Sequence, residues 1–417
     1  MATLLETSVT GNLTITQNVS AANLYVGGTL LSNTAANTVD IYANSGSLQT
    51  ASRLNFINTA TVTVTVEAGS AGNANVSFSA SGGSKVTTVT PSADQNNYNP
   101  SGLTGTTELR VNPSASIKLT GLVAQTDGTQ VTITNTSTDY LLWLEHENTS
   151  STAANRFVLP LKCPAFLMPS DSITLLYNGT NSRWNVVEWS GQGEGMGLTY
   201  MDDFMSGLLG GMTGSVSGTG ASVQASSYLV NGTEKPMGVT QLDTGTTAIG
   251  RATLGSSATA QIVPTTGACL HVSRLAIEAA VSGTETYNVF TGFADSVGNG
   301  AANNAVTWRY GWSGSAATWY QSVYANGTET NSTTNSPAAD TNYNWFVIFI
   351  NPGWTRADFI YSTDSVSFTL SGSQTTGLPD STQYASWAAA SIVKSVGTTQ
   401  RNVSIDLTGY RYDGGRG

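Results

Sequence analysis

Charged residues are scarce in this sequence. They make up 10% of the 417 residues, whereas a typical soluble domain has about 25%. Cysteine occurs only twice, at Cys163 and Cys269. A disulfide framework would need more cysteines, and a zinc site would need clustered ligands. The sequence therefore predicts neither, and we expect both cysteines to be small buried hydrophobic residues.

Basic residues are fewer still, with 16 Lys and Arg against 26 Asp and Glu, a net charge of −10. Binding to nucleic-acid phosphates needs clustered cations, so we expect no nucleic-acid partner. No basic residue precedes Arg53, and we expect no targeting segment and synthesis in the cytoplasm. The longest strongly apolar run is Trp345–Ile350. A bilayer span takes about 20 residues, so we expect no membrane insertion.

Catalytic motifs are also missing. The two histidines, His146 and His271, lie far apart, and the sequence has no His-Glu-x-x-His motif, P-loop or nucleophile elbow. Carboxylates such as Glu278 and Asp358 could in principle serve a glycosidase, but their spacing is not specific. Asp340–Asn344 imitates the start of a calcium loop without its later Gly and Glu. We predict a protein that is not an enzyme and has no cofactor and no metal.

Strand-forming residues dominate what is present. The chain has 9 Trp, 16 Tyr and 11 Phe, with abundant Val and Thr, and 44 Gly. These types suit pleated strands and the turns between them, and the periodic blocks of Ala, Leu, Glu and Lys typical of long helices do not occur. The composition predicts an all-β protein.

Turn signals and shifts in composition divide the chain into five segments. Residues 1–50 hold short polar strands that cannot bury a core alone, which indicates an intertwined stalk or docking segment completed by other copies. Residues 51–105 are predicted to form a β-hairpin followed by a polar loop. Residues 106–190 predict a small β-domain, a barrel or a sandwich. Residues 191–222 have the composition of a Gly-rich linker. Residues 223–417 have the length and strand spacing of a jelly-roll β-sandwich.

Three local patterns refine this division. The alternation in Thr61–Val66 and again in Val76–Phe78 predicts the hairpin. Tyr200–Leu209 is the best candidate for a short helical turn, and Ala385–Ser391 is compatible with either strand or helix.

Aromatic residues of the last segment cluster on two predicted strands, where Trp308, Tyr310 and Trp312 share one face, as do Tyr320 and Tyr324. They are Trp308, Tyr310, Trp312, Trp319, Tyr320 and Tyr324. Such a stripe can be a sugar-stacking platform or the core of a sandwich, and we favour the core. The alternate residues Arg309, Gly311 and Ser313 then face outward.

Several stretches resemble proteins of tailed-bacteriophage virions. Gly11–Leu30 looks like the start of phage fibre proteins, and Arg53–Phe56 with the Thr-Val alternation is similar to a repeated fibre element. Other stretches resemble a small β-domain of virion proteins. They are Gln130–Asn135, Arg156-Phe157, Ile173–Tyr177, Asn178–Thr180 and Arg183-Trp184. Residues 223–417 resemble the lectin-like β-sandwiches at the ends of phage fibres, through Ile392–Thr398, Arg401 and Ile405–Leu407.

The resemblance implies a fibre protein that forms a homotrimer and attaches to other virion proteins through its N-terminal segment. Its place is then the virion, assembled in the host cytoplasm. We expect a tail fibre, because a separate sandwich beyond a Gly-rich hinge suits contact with a host surface. A capsid head fibre or decoration protein is the alternative, and a tailspike glycan depolymerase is a further one.

We expect the C-terminal sandwich to bind a host surface glycan through its loops. The polar loops Asp295–Asn304, Asn326–Asn344 and Gly372–Gln383 supply groups for sugar hydroxyls. Aromatic residues near their edges are the stacking candidates. These are Tyr343, Trp354 and Tyr384.

Overall fold

The structure is a computed structural model, and the chain in it forms two compact units, Met1–Gly83 and Ser84–Gly417. In the first unit it describes six short strands. In the second it describes residues 85–413, except for 191–199, 205–211, 229–236, 256–260, 263–266, 296–301, 313–316, 339, 381 and 384.

The described strands of the first unit pair as three hairpins. They are β1 (Leu24–Val26) with β2 (Thr29–Leu31), β3 (Val39–Tyr42) with β4 (Leu48–Ala51), and β5 (Val62–Ala68) with β6 (Ala74–Ala80). The β5–β6 pair places Val64 opposite Phe78, in agreement with the alternation that predicts a hairpin here. Most of residues 1–50 lies outside the described residues, so the intertwined stalk stays a prediction.

The second unit begins with a small β-domain of nine strands in two sheets. The strands are β7 (Val86–Val89), β8 (Glu108–Val111), β9 (Ile117–Leu119), β10 (Gln130–Asn135), β11 (Leu142–Leu144), β12 (Phe157–Val158), β13 (Ala165–Leu167), β14 (Ser172–Asn178) and β15 (Arg183–Trp189). One sheet has the order β12-β15-β14-β10-β8-β7, and the other has the order β13-β11-β9. Short 3-10 helices lie at Ala153–Asn155 and Pro160–Lys162.

This domain differs from the predicted barrel or sandwich because its first strands are parallel. β7, β8 and β10 stack in parallel in one sheet, while β9 and β11 do so in the other, so the chain winds as a short β-solenoid. Parallel neighbours need long connections rather than tight turns, which is why turn spacing alone did not indicate them. The strand β7 lies inside residues 51–105, so part of the segment assigned to the hairpin and polar loop pairs with this domain.

Residues 200–412 form a two-sheet β-sandwich whose neighbouring strands pair in antiparallel fashion. Its strands are β16 (Tyr200–Asp202), β17 (Thr213–Ser217), β18 (Ser222–Tyr228), β19 (Met237–Asp243), β20 (Arg251–Gly255), β21 (Gln261–Ile262), β22 (Cys269–Ile277), β23 (Thr286–Ala294), β24 (Ala305–Trp312), β25 (Ala317–Ala325), β26 (Thr328–Ser332), β27 (Asn344–Ile350), β28 (Ala357–Ser362), β29 (Thr369–Gln374), β30 (Ala385–Val396) and β31 (Asn402–Tyr412). A 3-10 turn lies at Pro352–Trp354.

We call the two sheets of the sandwich inner and outer. The inner sheet has the order β18-β19-β31-β22-β27-β28-β29, with β16 beside β31. The outer sheet has the order β17-β20-β30-β23-β24-β25-β26, with β21 beside β30. Eight strands per sheet make this a larger sandwich than the eight-stranded jelly roll that the length suggests.

The Gly-rich segment 191–222 is not only a linker. β16 pairs with β31 and β17 pairs with β20, so this segment contributes a strand to each sheet. The helical turn predicted for Tyr200–Leu209 is wrong at its start, since Tyr200–Asp202 is a strand. Ala385–Ser391, left open between strand and helix, lies in the long strand β30. Pairing with neighbouring strands overrides the weak local preference at each place.

Strand β27 of the inner sheet is buried on both faces. Its Phe346 and Ile348 pack into the sandwich core, where Trp308 and Tyr310 from the outer sheet meet them. The opposite face of β27 carries Trp345, Val347 and Phe349, which pack against the small β-domain. The core interpretation of the aromatic stripe is therefore confirmed for Trp308, Tyr310 and Trp319, all of them buried.

Polar contacts strengthen the packing of the sandwich on the small β-domain. Arg411 of β31 donates two hydrogen bonds to Asp171, at 2.7 and 2.8 Å, and each of these side chains is only 6% exposed. The backbone N–H of Phe368 donates to Glu145 Oε1 at 2.7 Å, and Lys118 Nζ donates to the Phe368 carbonyl at 2.8 Å. The sandwich therefore packs directly on the small β-domain. It is not a separate domain beyond a Gly-rich hinge, as the sequence led us to expect.

No helix that could cross a membrane occurs among the described residues.

Candidate functional site

One broad face of the sandwich is left uncovered by the small β-domain, namely the outer face of the outer sheet. Its side chains alternate with the core residues of β23, β24 and β25. Register places Asn288 beside Gly311 and Phe290 beside Arg309, with Tyr320 next to Arg309 on β25. The outward direction predicted for Arg309 and Gly311 follows from the burial of Trp308 and Tyr310 on the other face.

Arg309 is the centre of a polar cluster on this face. Its Nη1 lies 2.7 Å from both carboxylate oxygens of Glu329 on β26 and 3.1 Å from the hydroxyl of Tyr324. Its Nε and Nη2 donate to Asn288 Oδ1 at 3.3 and 3.1 Å. Ser322 donates to Glu329 Oε1 at 2.7 Å. Charge-assisted bonds of this kind hold each group in a fixed geometry.

Aromatic rings border the same cluster. The Arg309 guanidinium carbon lies 5.5 Å from the ring centroid of Phe290 and 5.9 Å from that of Tyr320. Phe290 is buried, whereas Tyr320 is half-buried and presents part of its ring at the surface. An aromatic edge beside fixed polar groups is the combination with which proteins orient small polar ligands.

The cluster remains partly open to solvent. The side chains of Arg309 and Glu329 are 21% and 22% exposed, while Ser322 and Thr307 beneath them are fully buried. Asn288 fills the space beside Gly311, because a Cβ at position 311 would lie only 2.3 Å from Asn288 Oδ1. We call Asn288, Arg309, Tyr320, Tyr324 and Glu329 the Arg309 surface.

Titration behaviour at the Arg309 surface follows from burial and pairing. Burial raises the pKa of Glu329, but hydrogen bonds from Arg309 and Ser322 outweigh it and leave that pKa below its usual value. Burial raises the pKa of Tyr324 to about 12. At neutral pH the surface therefore holds a carboxylate, a guanidinium and a neutral phenol side by side.

The three stacking candidates predicted from the sequence do not form this surface. Tyr343 and Trp354 are each 2% exposed. The Tyr343 ring lies 5.1 Å from the guanidinium of Arg274, on the inner-sheet side that faces the small β-domain. Trp354 packs in the core, 6.3 Å from Phe293. Neither ring offers a face to a sugar, so the expectation that these two stack on a glycan does not fit the structure. Tyr384 lies outside the described residues.

Acidic side chains in the polar loops predicted to bind sugar accept hydrogen bonds from groups of their own loop. Asp295 accepts hydrogen bonds from the backbone N–H groups of Asn303 and Asn304, both at 3.0 Å. Asp340 accepts from the N–H of Asn342 and the amide of Asn344, which accounts for the apparent calcium-loop opening as a turn motif. These carboxylates stabilise loops.

Other chemistry-bearing residues are likewise engaged. His146 Nδ1 accepts from the N–H of Leu159 at 3.0 Å, and the fully buried His271 contacts Thr291 at 2.8 Å. Asp358 accepts from Arg356 at 2.7 Å and from Ser116. Within the described ranges, no group of three or more His, Cys, Asp or Glu side chains could hold a metal ion.

A second concave surface lies on the small β-domain. An open groove of about 610 Å³ runs over the solvent face of the six-stranded sheet, and it is lined by Thr107, Glu108, Gln130, Thr132, Thr134 and Ser172. Glu108 is paired there with Arg110 at 2.9 Å, and Thr132 contacts Thr174 at 3.0 Å. No aromatic ring lines the groove, so it lacks a stacking element.

Sequence reasoning found part of the Arg309 surface. The outward face of Arg309 is predicted, but Tyr320 and Tyr324 are predicted as part of a core stripe, and Tyr320 instead lies half-buried beside Arg309. Sequence reasoning missed Glu329 and Asn288, because each lies on a separate strand and nothing in the local sequence marks them as partners of Arg309. The hairpin turn Asn326-Gly327, which returns β26 beside β25, is the signal that places Glu329 opposite Tyr324.

Comparisons with known proteins give only distant structural similarity. No protein-family model and no curated protein sequence matches the chain. A protein of unknown function from Shewanella oneidensis MR-1 is 15% identical with a TM-score of 0.39, over 51% of this chain and 84% of that one. Peanut lectin with a nine-residue peptide is 10% identical with a TM-score of 0.34, over 51% and 96%. Lectin I-B4 from Griffonia simplicifolia is 9% identical with a TM-score of 0.34, over 51% and 99%.

Proposed function

We propose that this chain is a structural fibre protein of a tailed-bacteriophage virion, a homotrimer whose C-terminal sandwich binds a host surface glycan. The observation that carries the glycan-binding part is the Arg309 surface. It places a fixed carboxylate, guanidinium, amide and phenol beside a half-exposed aromatic ring, on the sandwich face that the small β-domain leaves open. Sugars present adjacent hydroxyls and apolar ring faces, which these groups complement.

The fibre part of the proposal is supported by the resemblance of Gly11–Leu30 and Arg53–Phe56 to phage fibre proteins. The short hairpins β1–β2 and β3–β4 are also consistent with it, since two-stranded hairpins are marginally stable alone. Other copies of the chain would complete their burial, and other virion proteins would hold the N-terminal segment.

Two measurements test this proposal. Light scattering of the purified protein should give three times the chain mass of 43.3 kDa, and a monomer mass would contradict the fibre. The protein should also bind susceptible host cells and compete with phage adsorption. Tyr320→Ala should weaken cell binding, whereas Tyr361→Ala, on the inner sheet, should leave it unchanged if the fold is retained. Failure of the wild-type protein to bind cells would contradict the receptor-binding role.

A capsid head fibre or decoration protein remains the second candidate. We expect a tail fibre because a Gly-rich hinge would separate the sandwich, yet the sandwich packs on the small β-domain through a buried ion pair and a buried hydrogen bond. That observation removes one reason for preferring the tail. Electron microscopy of virions labelled with an antibody against this protein distinguishes the two positions.

We also propose that the protein is not an enzyme. His146, Asp295 and Asp358 serve internal hydrogen bonds, and general acid–base catalysis needs such groups free to meet a substrate. Release of oligosaccharides from host capsule or lipopolysaccharide by the purified protein would instead favour the tailspike depolymerase.

A further inference from the structure

The charges of the Arg309 surface cancel within the surface itself, which bears on the class of glycan. Nη1 of Arg309 lies 2.7 Å from each oxygen of Glu329 and 3.1 Å from the Tyr324 hydroxyl, while Nε and Nη2 donate to Asn288 Oδ1. An anionic sugar would have to compete with Glu329 for a cation that is already neutralised. It would also approach a carboxylate that lies in the same half-open site.

The other cations on the described strands of the outer sheet, Lys394 and Arg251, do not compensate for this. Lys394 on β30 is buried and donates to the carbonyl oxygens of Gly245 and Thr399 at 2.7 and 2.9 Å. Arg251 lies on β20, with β30 and β23 between it and β24. The chain as a whole carries a net charge of −10, and this field repels polyanions at long range.

The polar groups present suit uncharged hydroxyls instead. Adjacent sugar hydroxyls both donate and accept, and the surface offers the Glu329 carboxylate as an acceptor next to the Tyr324 phenol and the Arg309 guanidinium. The half-buried Tyr320 adds an aromatic ring beside these groups. Gly311 lets the Asn288 side chain lie close against β24, since a Cβ at position 311 would clash with Asn288 Oδ1.

We infer that the Arg309 surface selects neutral hexoses and rejects their anionic counterparts, with Glu329 as the residue that sets this preference. The inference rests on the proposed glycan-binding function and names the class of sugar for the same site.

The test uses matched ligand pairs that differ only in a carboxylate at carbon 6. These are methyl glucoside against methyl glucuronide and methyl galactoside against methyl galacturonide, titrated into the full-length protein and followed by ligand-observed NMR. We expect the neutral member of at least one pair to bind better than its uronide, and its affinity to be insensitive to 0.5 M NaCl, since no net charge is neutralised on binding.

Glu329→Gln removes the charge and keeps the shape. In this variant Arg309 is no longer neutralised, so the ratio of uronide to neutral affinity should rise roughly tenfold, as for a partly screened charge pair. Glu278→Gln is the matched control. It removes the same charge from an exposed residue of the sandwich that contacts Gln241 and Asn402 instead, and it should leave the ratio unchanged.

The outcomes separate the inference from the proposed function. Tighter binding of uronides by the wild type, or an unchanged ratio in a folded Glu329→Gln variant, overturns the neutral class while glycan binding stands. If that variant does not fold, salt-sensitive binding of the sugars by the wild type overturns the inference by itself. A protein that binds host cells but none of the four glycosides also overturns the inference alone. Absence of binding to both cells and glycosides overturns the proposed function with it.

Discussion

The buried ion pair between Arg411 and Asp171 should be a principal determinant of how firmly the sandwich is held on the small β-domain. Both side chains are 6% exposed and joined by two hydrogen bonds of 2.7 and 2.8 Å. Arg411→Met keeps most of the side-chain volume but leaves the Asp171 carboxylate buried without its counter-charge. Breaking a buried pair in this way costs about 3–5 kcal/mol.

A matched pair on the surface provides the control. Arg110 and Glu108 lie 2.9 Å apart, but their side chains are 48% and 27% exposed. Exposed pairs contribute about 0–1 kcal/mol, so Arg110→Met should change the free energy of unfolding by no more than that. Urea denaturation followed by tryptophan fluorescence measures both variants, and comparison at equal m-value isolates the change in stability.

Two further measurements identify the mechanism. Burial raises the pKa of Asp171 against the opposing effect of Arg411, so without Arg411 this carboxyl should take up a proton more readily. The destabilisation by Arg411→Met should therefore shrink between pH 8 and pH 5. Combining it with Asp171→Asn should recover at least half of the loss, because no uncompensated charge remains.

The reasoning is refuted if Arg411→Met and Arg110→Met are equally mild. It is also refuted if the loss in Arg411→Met does not depend on pH, because the cost is then one of packing and not of charge.

Three other predictions follow from burial and pairing. The pKa of Glu329 is held below the ordinary 4.5, so its pairing with Arg309 stabilises the fold above that pH and is lost as pH falls through the lower folded value. Urea midpoints measured from pH 6 to pH 3 should therefore fall less in Glu329→Gln than in the wild type. Burial raises the pKa of Cys163 to about 11 and that of Cys269 well above its usual value, so neither thiol should react with a disulfide reagent at pH 8 until the protein is unfolded, and rapid labelling of the native protein would contradict this. Trp308→Ala should cost about 3–5 kcal/mol, because the ring is fully buried, and a loss below 1 kcal/mol in urea denaturation would contradict its place in the core.

Strands with regular alternation could be predicted from the sequence, because the alternation of apolar and polar residues is visible within the few residues of each strand. Such alternation is present in Glu108–Val111, Ile117–Leu119 and Gln130–Asn135, and these stretches are β8, β9 and β10 in the structure. Strands with weak patterns, such as Ala165–Leu167 and Thr213–Ser217, were missed. Their strand conformation depends on neighbours that are distant in sequence, and no local propensity reveals such neighbours.

The apolar run Trp345–Ile350 is too short to span a membrane, but it also carries a signal for the packing of the two domains. The run Trp345–Ile350 has no polar residue, although a strand with one solvated face should alternate. An unbroken apolar strand indicates burial on both faces. In the structure β27 has this burial, with Phe346 towards the sandwich core and Phe349 towards the small β-domain. The partners themselves, such as Asp171 for Arg411, are 240 residues apart and could not be paired from one sequence.

This two-sided burial also determines which part of the sandwich is available for recognition. The inner sheet lies between the small β-domain and the outer sheet, so the Arg309 surface faces away from the small β-domain. The apolar packing and the buried Arg411–Asp171 pair at that interface fix this direction, and the surface cannot turn independently as it would beyond a flexible hinge. In a trimer, three surfaces held in fixed directions raise the effective concentration of binding sites only for ligands that match their spacing. We therefore expect the protein to discriminate between dense and sparse glycan coats more sharply than a flexibly linked sandwich, even where a single site binds weakly.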